Sequence, residues 1–259
     1  MSEILLKAEN ITMQFGGLKA VDNLNLQVHQ GELAGLIGPN GAGKTTAFNI
    51  LTGVYQPTRG QVTFAGQNLS GRKPFQVCHL GLTRTFQNIR LFKALTVLQN
   101  VLIACHPHFQ SSALQVLLQS SAYLSEEKKW TDHCLHLLDV FGLKGKAYEV
   151  AASLPYGEQR KLEIVRALAT QPKMILLDEP AAGMNHSETH QLMDLIAKVR
   201  KEFNLTVLLI EHDMKLVMGI CENIFVLDHG VKIEEGRPEK IQKSTAVIQA
   251  YLGVDSDLH

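Results

Sequence analysis

The sequence predicts an α/β fold: a mainly parallel sheet, an antiparallel β subdomain ahead of it and an inserted helical subdomain. Three observations predict it. In the second half of the chain, strand-sized apolar runs alternate with helical patterns of about 10–15 residues, which lays strands parallel with helices as crossovers. A glycine-rich segment, Gly38 to Gly43, stands between a wholly apolar run and a helical pattern. Between them, from about Phe92 to Ala152, the spacing is helical throughout.

In chain order, Leu5–Ala8, Leu24–Val28 and Leu33–Ile37 are β-rich runs separated by polar or glycine breaks, a small sheet leading into a buried strand. Lys44–Thr52 is helical and stops at Gly53, and Gln61–Phe64 returns to strand after Pro57 and Gly60. The insertion shows its helical period in Val97, Val101 and Leu102, then in Trp130, Cys134, Leu137, Leu138 and Phe141. Helix Glu158–Thr170, strand Met174–Leu177, helix Glu188–Glu202, strand Thr206–Ile210, helix Met214–Cys221 and strand Ile224–Leu227 follow. That alternation predicts a sheet covered on both faces. Pro238–Gly253 carries an apolar stripe (Ile241, Val247, Ile248, Tyr251, Leu252) that reads as core cover more readily than as a docking helix.

The 259 residues, 45% apolar and 19% charged, can bury one large domain or two lobes, which excludes disorder and a fibre. Lys plus Arg and Asp plus Glu number 25 each, so no global basic field attracts nucleic acid or anionic lipid, and no local patch replaces it. No apolar run approaches the ~20 residues of a membrane span. Glu3 stands where a signal peptide is positive, and no apolar region follows, so a cytoplasmic location is expected. Cys78, Cys105, Cys134 and Cys221 lie apart without a CxxC pair and read as reduced, mostly buried thiols.

Gly38-Pro39-Asn40-Gly41-Ala42-Gly43-Lys44-Thr45-Thr46 fits G-x-x-x-x-G-K-[ST] between strand and helix, the context that motif requires. Its glycines let successive backbone N–H groups converge on phosphate, the helix start adds its positive end, Lys44 adds a full charge, and Thr45 offers a hydroxyl to Mg²⁺. The core is therefore expected to be of the P-loop NTPase type, with ATP and Mg²⁺ as ligands. Met174-Ile175-Leu176-Leu177-Asp178-Glu179 ends an apolar strand in two carboxylates on opposite faces. Asp178 is placed to hold Mg²⁺ through water, and Glu179 to polarise the attacking water. Alone, such a pair reads as a solvated strand end; the cradle upstream changes that reading.

Together these residues resemble the ATP-binding-cassette ATPases over nearly the whole chain. The resemblance implies that Phe15 stacks on adenine, and that Gln87, in Thr85-Phe86-Gln87-Asn88, reaches Mg²⁺ and the attacking water. It implies that Leu154-Pro155-Tyr156-Gly157-Glu158 is the signature loop, with Leu154, Gly157 and Glu158 facing a nucleotide held by a partner chain. Ala181-Ala182-Gly183-Met184-Asn185 takes the place of the loop through which paired chains communicate, and His212 that of the switch histidine at the γ-phosphate. His106, His108, His133 and His136 read as structural or solvated, and Cys105-His106-x-His108 lacks zinc spacing.

The signature loop departs from Leu-Ser-Gly-Gly-Gln. Pro155 lacks the hydroxyl and the N–H of serine, and Glu158 adds negative charge at a helix start. The tyrosine in that loop, Ala181–Asn185, Arg84–Phe92 and Ala250-Tyr251-Leu252-Gly253 are similar to the ATP-binding subunits of high-affinity branched-chain amino acid importers. The resemblance implies two transmembrane permease subunits, a second ATPase subunit (a heterodimer favoured over a homodimer), an indirect link to a substrate-binding protein, and a peripheral place on the inner face of the cytoplasmic membrane. It divides the chain into 1–91 (β subdomain and first part of the P-loop core), 92–157 (helical subdomain with signature loop), 158–235 (second part of the core) and 236–259 (helical tail). Two other readings stay open: an ATPase of lipopolysaccharide export, which Pro155 opposes, and a non-hydrolysing nucleotide-binding regulator, which Glu179 and His212 oppose.

Overall fold

Two long strands, β1 (Ile4–Phe15) and β2 (Leu18–His29), pair antiparallel, and β3 (Leu33–Ile37) then leads through the glycine-rich loop into α1 (Lys44–Leu51). This computed structural model describes residues 3–252, so Met1, Ser2, Gly253 and the tail from 254 to 259 lie outside the described residues. β4 (Arg59–Phe64), β5 (Gln67–Asn68), α2 (Pro74–His79) and β6 (Leu82–Arg84) follow, then α3 (Val97–Cys105), α4 (Ala113–Leu117) and α5 (Ser121–Val140). The chain continues through α6 (Tyr156–Leu168), β7 (Met174–Asp178), α7 (His186–Glu202), β8 (Thr206–Ile210), α8 (Met214–Ile220), β9 (Asn223–Asp228) and β10 (Val231–Gly236), and ends in α9 (Pro238–Ile241) and α10 (Thr245–Leu252).

The strands form a four-stranded antiparallel sheet, β2-β1-β4-β5, and a six-stranded sheet, β10-β9-β3-β8-β7-β6, parallel except for β10. Central strands are buried on both faces, and their alternating side chains divide the core. Leu33, Ile37, Ile175, Leu177, Val207, Leu209, Ile224 and Val226 pack with the helices of one side. Leu36, Leu176, Leu208, Ile210, Phe225 and Leu227 pack with α1 and the antiparallel sheet on the other.

Four strands in particular differ from the sequence reading. β1 and β2 are 12 residues each, longer than the runs Leu5–Ala8 and Leu24–Val28, because register shifts near Ile11 and Met13 break the alternation that marks a strand. β6 and β10 carry no apolar run: one has three residues, and the other is a half-buried edge bearing Lys232, Glu234 and Glu235. In the tail, Ile241 and Val247 are buried in the main core, so α9 and α10 cover it, leaving Ile248 and Leu252 exposed. The histidines of the insertion have packing partners: His108 bonds the Thr170 carbonyl at 3.0 Å and stacks on Trp130, and His133 meets Trp130 edge-on. Cys105 lies against Cys134, with 3.4 Å between their sulfurs. Among the described residues, no helix is long and apolar enough to cross a membrane.

Candidate functional site

The loop from Gly38 to Gly43 is shaped by backbone angles and close approaches that only glycine permits. Gly38, Gly41 and Gly43 have φ of 151°, 80° and 96°. A Cβ on Gly38 would stand 2.0 Å from the Leu227 carbonyl oxygen, and one on Gly43 2.4 Å from that of Ala20. At Gly41 nothing lies within 4 Å, so this face is open for an anion to approach the backbone. The turn His229-Gly230 backs the loop, with Gly230 N donating to the Ala42 carbonyl at 3.0 Å.

Lys44 opens α1 and is buried, its Nζ donating to the carbonyls of Gly38 (2.7 Å) and Pro39 (2.8 Å). Burial pulls its pKa below the usual lysine value, and the charges of Glu179 and Asp178 oppose that shift. The cleft has a volume of about 420 Å³ and is lined by Leu18, Lys19, Ala20, Asn40 to Thr46, Gln87, Glu179 and His229. Two larger hollows, of about 810 Å³ beside Glu32 and Glu222 and about 710 Å³ beside Met214 and Tyr251, include no glycine-rich loop at a helix start.

Gln87 and Glu179 are 92 residues apart in sequence, yet Gln87 Nε2 donates to Glu179 Oε2 at 2.9 Å. Glu179 follows β7 in the left-handed region, φ 47°, with its N–H bonded to the Ile210 carbonyl at 3.0 Å. That conformation is costly for a residue with a Cβ, and here it turns the carboxylate out of the strand line and into the cleft. Asp178, one residue earlier, stays inside the sheet and does not line the cleft. Its Oδ2 accepts from Arg84 Nη2 at 2.8 Å, and burial pushes its pKa up against the pull of that guanidinium.

The structure thus brings Gly41, Ala42, Gly43, Lys44, Thr45, Thr46, Asn40, Gln87 and Glu179 to one cleft, with Gly38 and Pro39 bracing Lys44 from behind. Besides Asp178, five other expected residues stand off it. Phe15 is exposed at the end of β1, edge-on to Tyr55 with ring centroids 5.6 Å apart. His212 is exposed just past β8, its Nδ1 3.8 Å from Glu211. Gly157 and Glu158 belong to the start of α6, where Lys146 neutralises Glu158 at 2.6 Å, and Leu154, two residues before the helix, is buried in the main core rather than presented to a partner. The added negative charge expected at that helix start is therefore paired.

Sequence reasoning missed three neighbours of the site. Lys19 and His229 line the cleft from the start of β2 and the turn after β9, positions with no motif to mark them. Arg84 sits beside a motif residue, but only the fold reveals Asp178 as its partner.

The family model described as ABC transporter matches residues 21–182. The high-affinity branched-chain amino acid transport ATP-binding protein BraF of Pseudomonas aeruginosa is 46% identical over 98% of this chain and 99% of its own length. LivG of Escherichia coli K12, of the same description, is equally similar over the same shares. Among solved structures, the ADP conformation of MJ1267, an ATP-binding cassette of an ABC transporter, superposes with a TM-score of 0.84 at 30% identity, covering 97% of this chain and all of that one. The dimeric cassette MJ0796 bound to ADP and phosphate superposes at 0.74 and 26% identity over 90% of this chain and 99% of its own. The chain belongs to the ABC transporter family, as one of its ATPase cassettes.

Proposed function

We propose that the chain is the ATP-hydrolysing motor of an importer for branched-chain, hydrophobic amino acids. The Gln87–Glu179 contact carries the chemical part of this reading, since it sets an amide and a carboxylate together at the mouth of a phosphate cradle. The relatives' names supply the substrate class.

The cleft suits ATP and magnesium: N–H groups and an open glycine face for phosphate, hydroxyl, amide and carboxylate oxygens for a hard cation. Thr45 and Gln87 would hold magnesium directly, with Asp178, set behind the cleft on Arg84, reaching it only through water; the ion neutralises phosphate charge when bound. Phosphate oxygens would take the N–H groups of Asn40 to Thr46 and draw Lys44 away from the Gly38 and Pro39 carbonyls. Glu179 accepts the proton of the attacking water, and Gln87, bonded to the same carboxylate, helps orient that water. Phe15 stacks on adenine, and His212 reaches the γ-phosphate when two cassettes close.

Gly157 and Glu158 face the nucleotide of a second ATPase subunit, with Leu154 packed in the core behind them. Pro155 supports a different partner chain over a second copy, because a partner can bring the serine hydroxyl and N–H that this loop lacks. The four segments 1–91, 92–157, 158–235 and 236–259 are kept as the working division, and the insertion, with exposed Phe92, Ile103 and Leu114, is the surface for the two permease subunits. A peripheral place on the inner membrane face and an indirect link to a substrate-binding protein follow.

The test is reconstitution with the permeases in vesicles. ATP-driven uptake of leucine, isoleucine or valine supports the reading, and an assembled, ATP-hydrolysing complex that moves none of them overturns the substrate class.

A further inference from the structure

We propose that Tyr156 is a positioning residue that ties the signature turn to the Gln87–Glu179 pair, a proposal that rests on the roles given to those two residues above. The Tyr156 hydroxyl accepts from Nε and Nη2 of Arg160, one turn further along α6, at 3.2 and 2.9 Å, and its ring lies 5.4 Å from that guanidinium. Arg160 is buried. It donates through Nη1 to the Phe86 carbonyl at 3.0 Å and through Nη2 to the Gln87 carbonyl, with Glu163 3.5 Å away as its counter-charge. The guanidinium therefore grips the backbone on which the Gln87 side chain is mounted, and that side chain in turn holds Glu179.

The hydroxyl end of the same ring also meets the loop after Glu179. A Cβ on Gly183 would lie 3.0 Å from Tyr156 Cε1, so the two are in close contact. Tyr156 thus reaches both loops that flank Glu179: the Gln87 loop through Arg160, and the 181–185 loop directly. A glycine, which the resembled family places at this position, has no atoms to do either. A rigid ring on a planar, forked cation has few ways to yield, so a shift of the α6 start is passed to the Gln87 carbonyl. The turn that faces a partner's nucleotide and the residue that orients water on this chain's own nucleotide would then move together.

Tyr156→Phe tests this, because it keeps the ring against Gly183 and removes only the hydroxyl from a half-exposed side chain. In the assembled complex, kcat for ATP should fall by about 10-fold while KM and the affinity for a fluorescent ATP analogue change less than about twofold. Gln87→Ala should lower kcat as well, and adding Tyr156→Phe to it should cost nothing more, since both act on one contact. Arg160→Lys, which keeps the charge but not the fork, should repeat the kcat-selective loss and serves if Tyr156→Phe does not assemble. An unchanged kcat in the variants, or losses that multiply with Gln87→Ala, would overturn the proposal. If those results come with a Glu179→Gln variant that has lost turnover, only the tie is wrong; if Glu179→Gln turns over normally, the underlying reading has failed.

Discussion

Arg84 and Asp178 form an ion pair, Nη2 to Oδ2 at 2.8 Å, with side chains only 7% and 4% exposed. Burial pushes both groups toward neutrality, and each opposes that for the other. The other arm of the guanidinium donates to Asn49 at 2.7 Å and Thr52 at 3.3 Å, and its plane lies 4.8 Å from the Phe86 ring. One buried cation therefore joins α1, the Gln87 loop and the end of β7.

Removing that cation alone strands a buried carboxylate. Arg84→Met should destabilise the protein by about 3–5 kcal/mol, and pairing it with Asp178→Asn should recover much of the loss. Denaturant unfolding of the two variants decides it: equal stability in both contradicts an ion pair whose cost lies in the unpaired acid.

The glycines of the cradle differ in kind, and alanine separates them. Gly41→Ala faces only an unfavourable φ of 80°, about 1–2 kcal/mol. Gly38→Ala adds a Cβ 2.0 Å from a backbone oxygen, which the chain relieves only by moving the loop, at about 1–3 kcal/mol more and with loss of nucleotide binding. Thermal unfolding and ATP binding should rank Gly38→Ala well below Gly41→Ala.

Pro155 precedes α6 with φ −54° and ψ 152°, and its side chain offers no cap to the helix. Pro155→Ser supplies one, about 1 kcal/mol of stability, together with a hydroxyl and an N–H for the partner's phosphate. Turnover of the assembled complex should rise, by up to about 10²-fold. No change with assembly intact contradicts the view that this loop forms the slower composite site.

Glu126 anchors the insertion by accepting from the Gln110 N–H at 2.8 Å, the Ser111 N–H at 3.0 Å and the Ser111 hydroxyl at 2.5 Å. These bonds lower its pKa, the Ser111 hydroxyl contributing most. A carboxylate with a depressed folded pKa stabilises above the unfolded value of 4.5, and that contribution is lost as pH falls through the folded value. Hydrogen exchange at residues 110 and 111 should therefore be protected at pH 7 and quicken in acid at matched intrinsic rates, while Glu126→Ala exchanges fast at both.

The cradle and the strands Leu33–Ile37, Met174–Asp178 and Thr206–Ile210 were readable because each is local: a contiguous motif, or an apolar run buried on both faces. What could not be read is long-range or lacks an apolar run. Gln87 was singled out by resemblance, but its bond to Glu179, the Arg84–Asp178 pair and the Tyr156–Arg160 contact to the Gln87 carbonyl depend on how β6, α6 and β7 are set side by side. Lys19 and His229 reach the cleft only because the antiparallel sheet and the β9–β10 turn close over it. Phe15 and His212 show the reverse, motif positions that stand off the cleft in a single chain.

The measurement that bears most directly on the account is ATP turnover by the assembled complex carrying Glu179→Gln, read beside ATP affinity. Without the carboxylate to accept the water's proton, hydrolysis should fall by about 10²–10⁴-fold while the cradle still binds ATP and the cassettes remain closed on it. Turnover at the wild-type rate, with ATP bound as tightly as before, would show that Glu179 is not the base and that its contact with Gln87 serves another end.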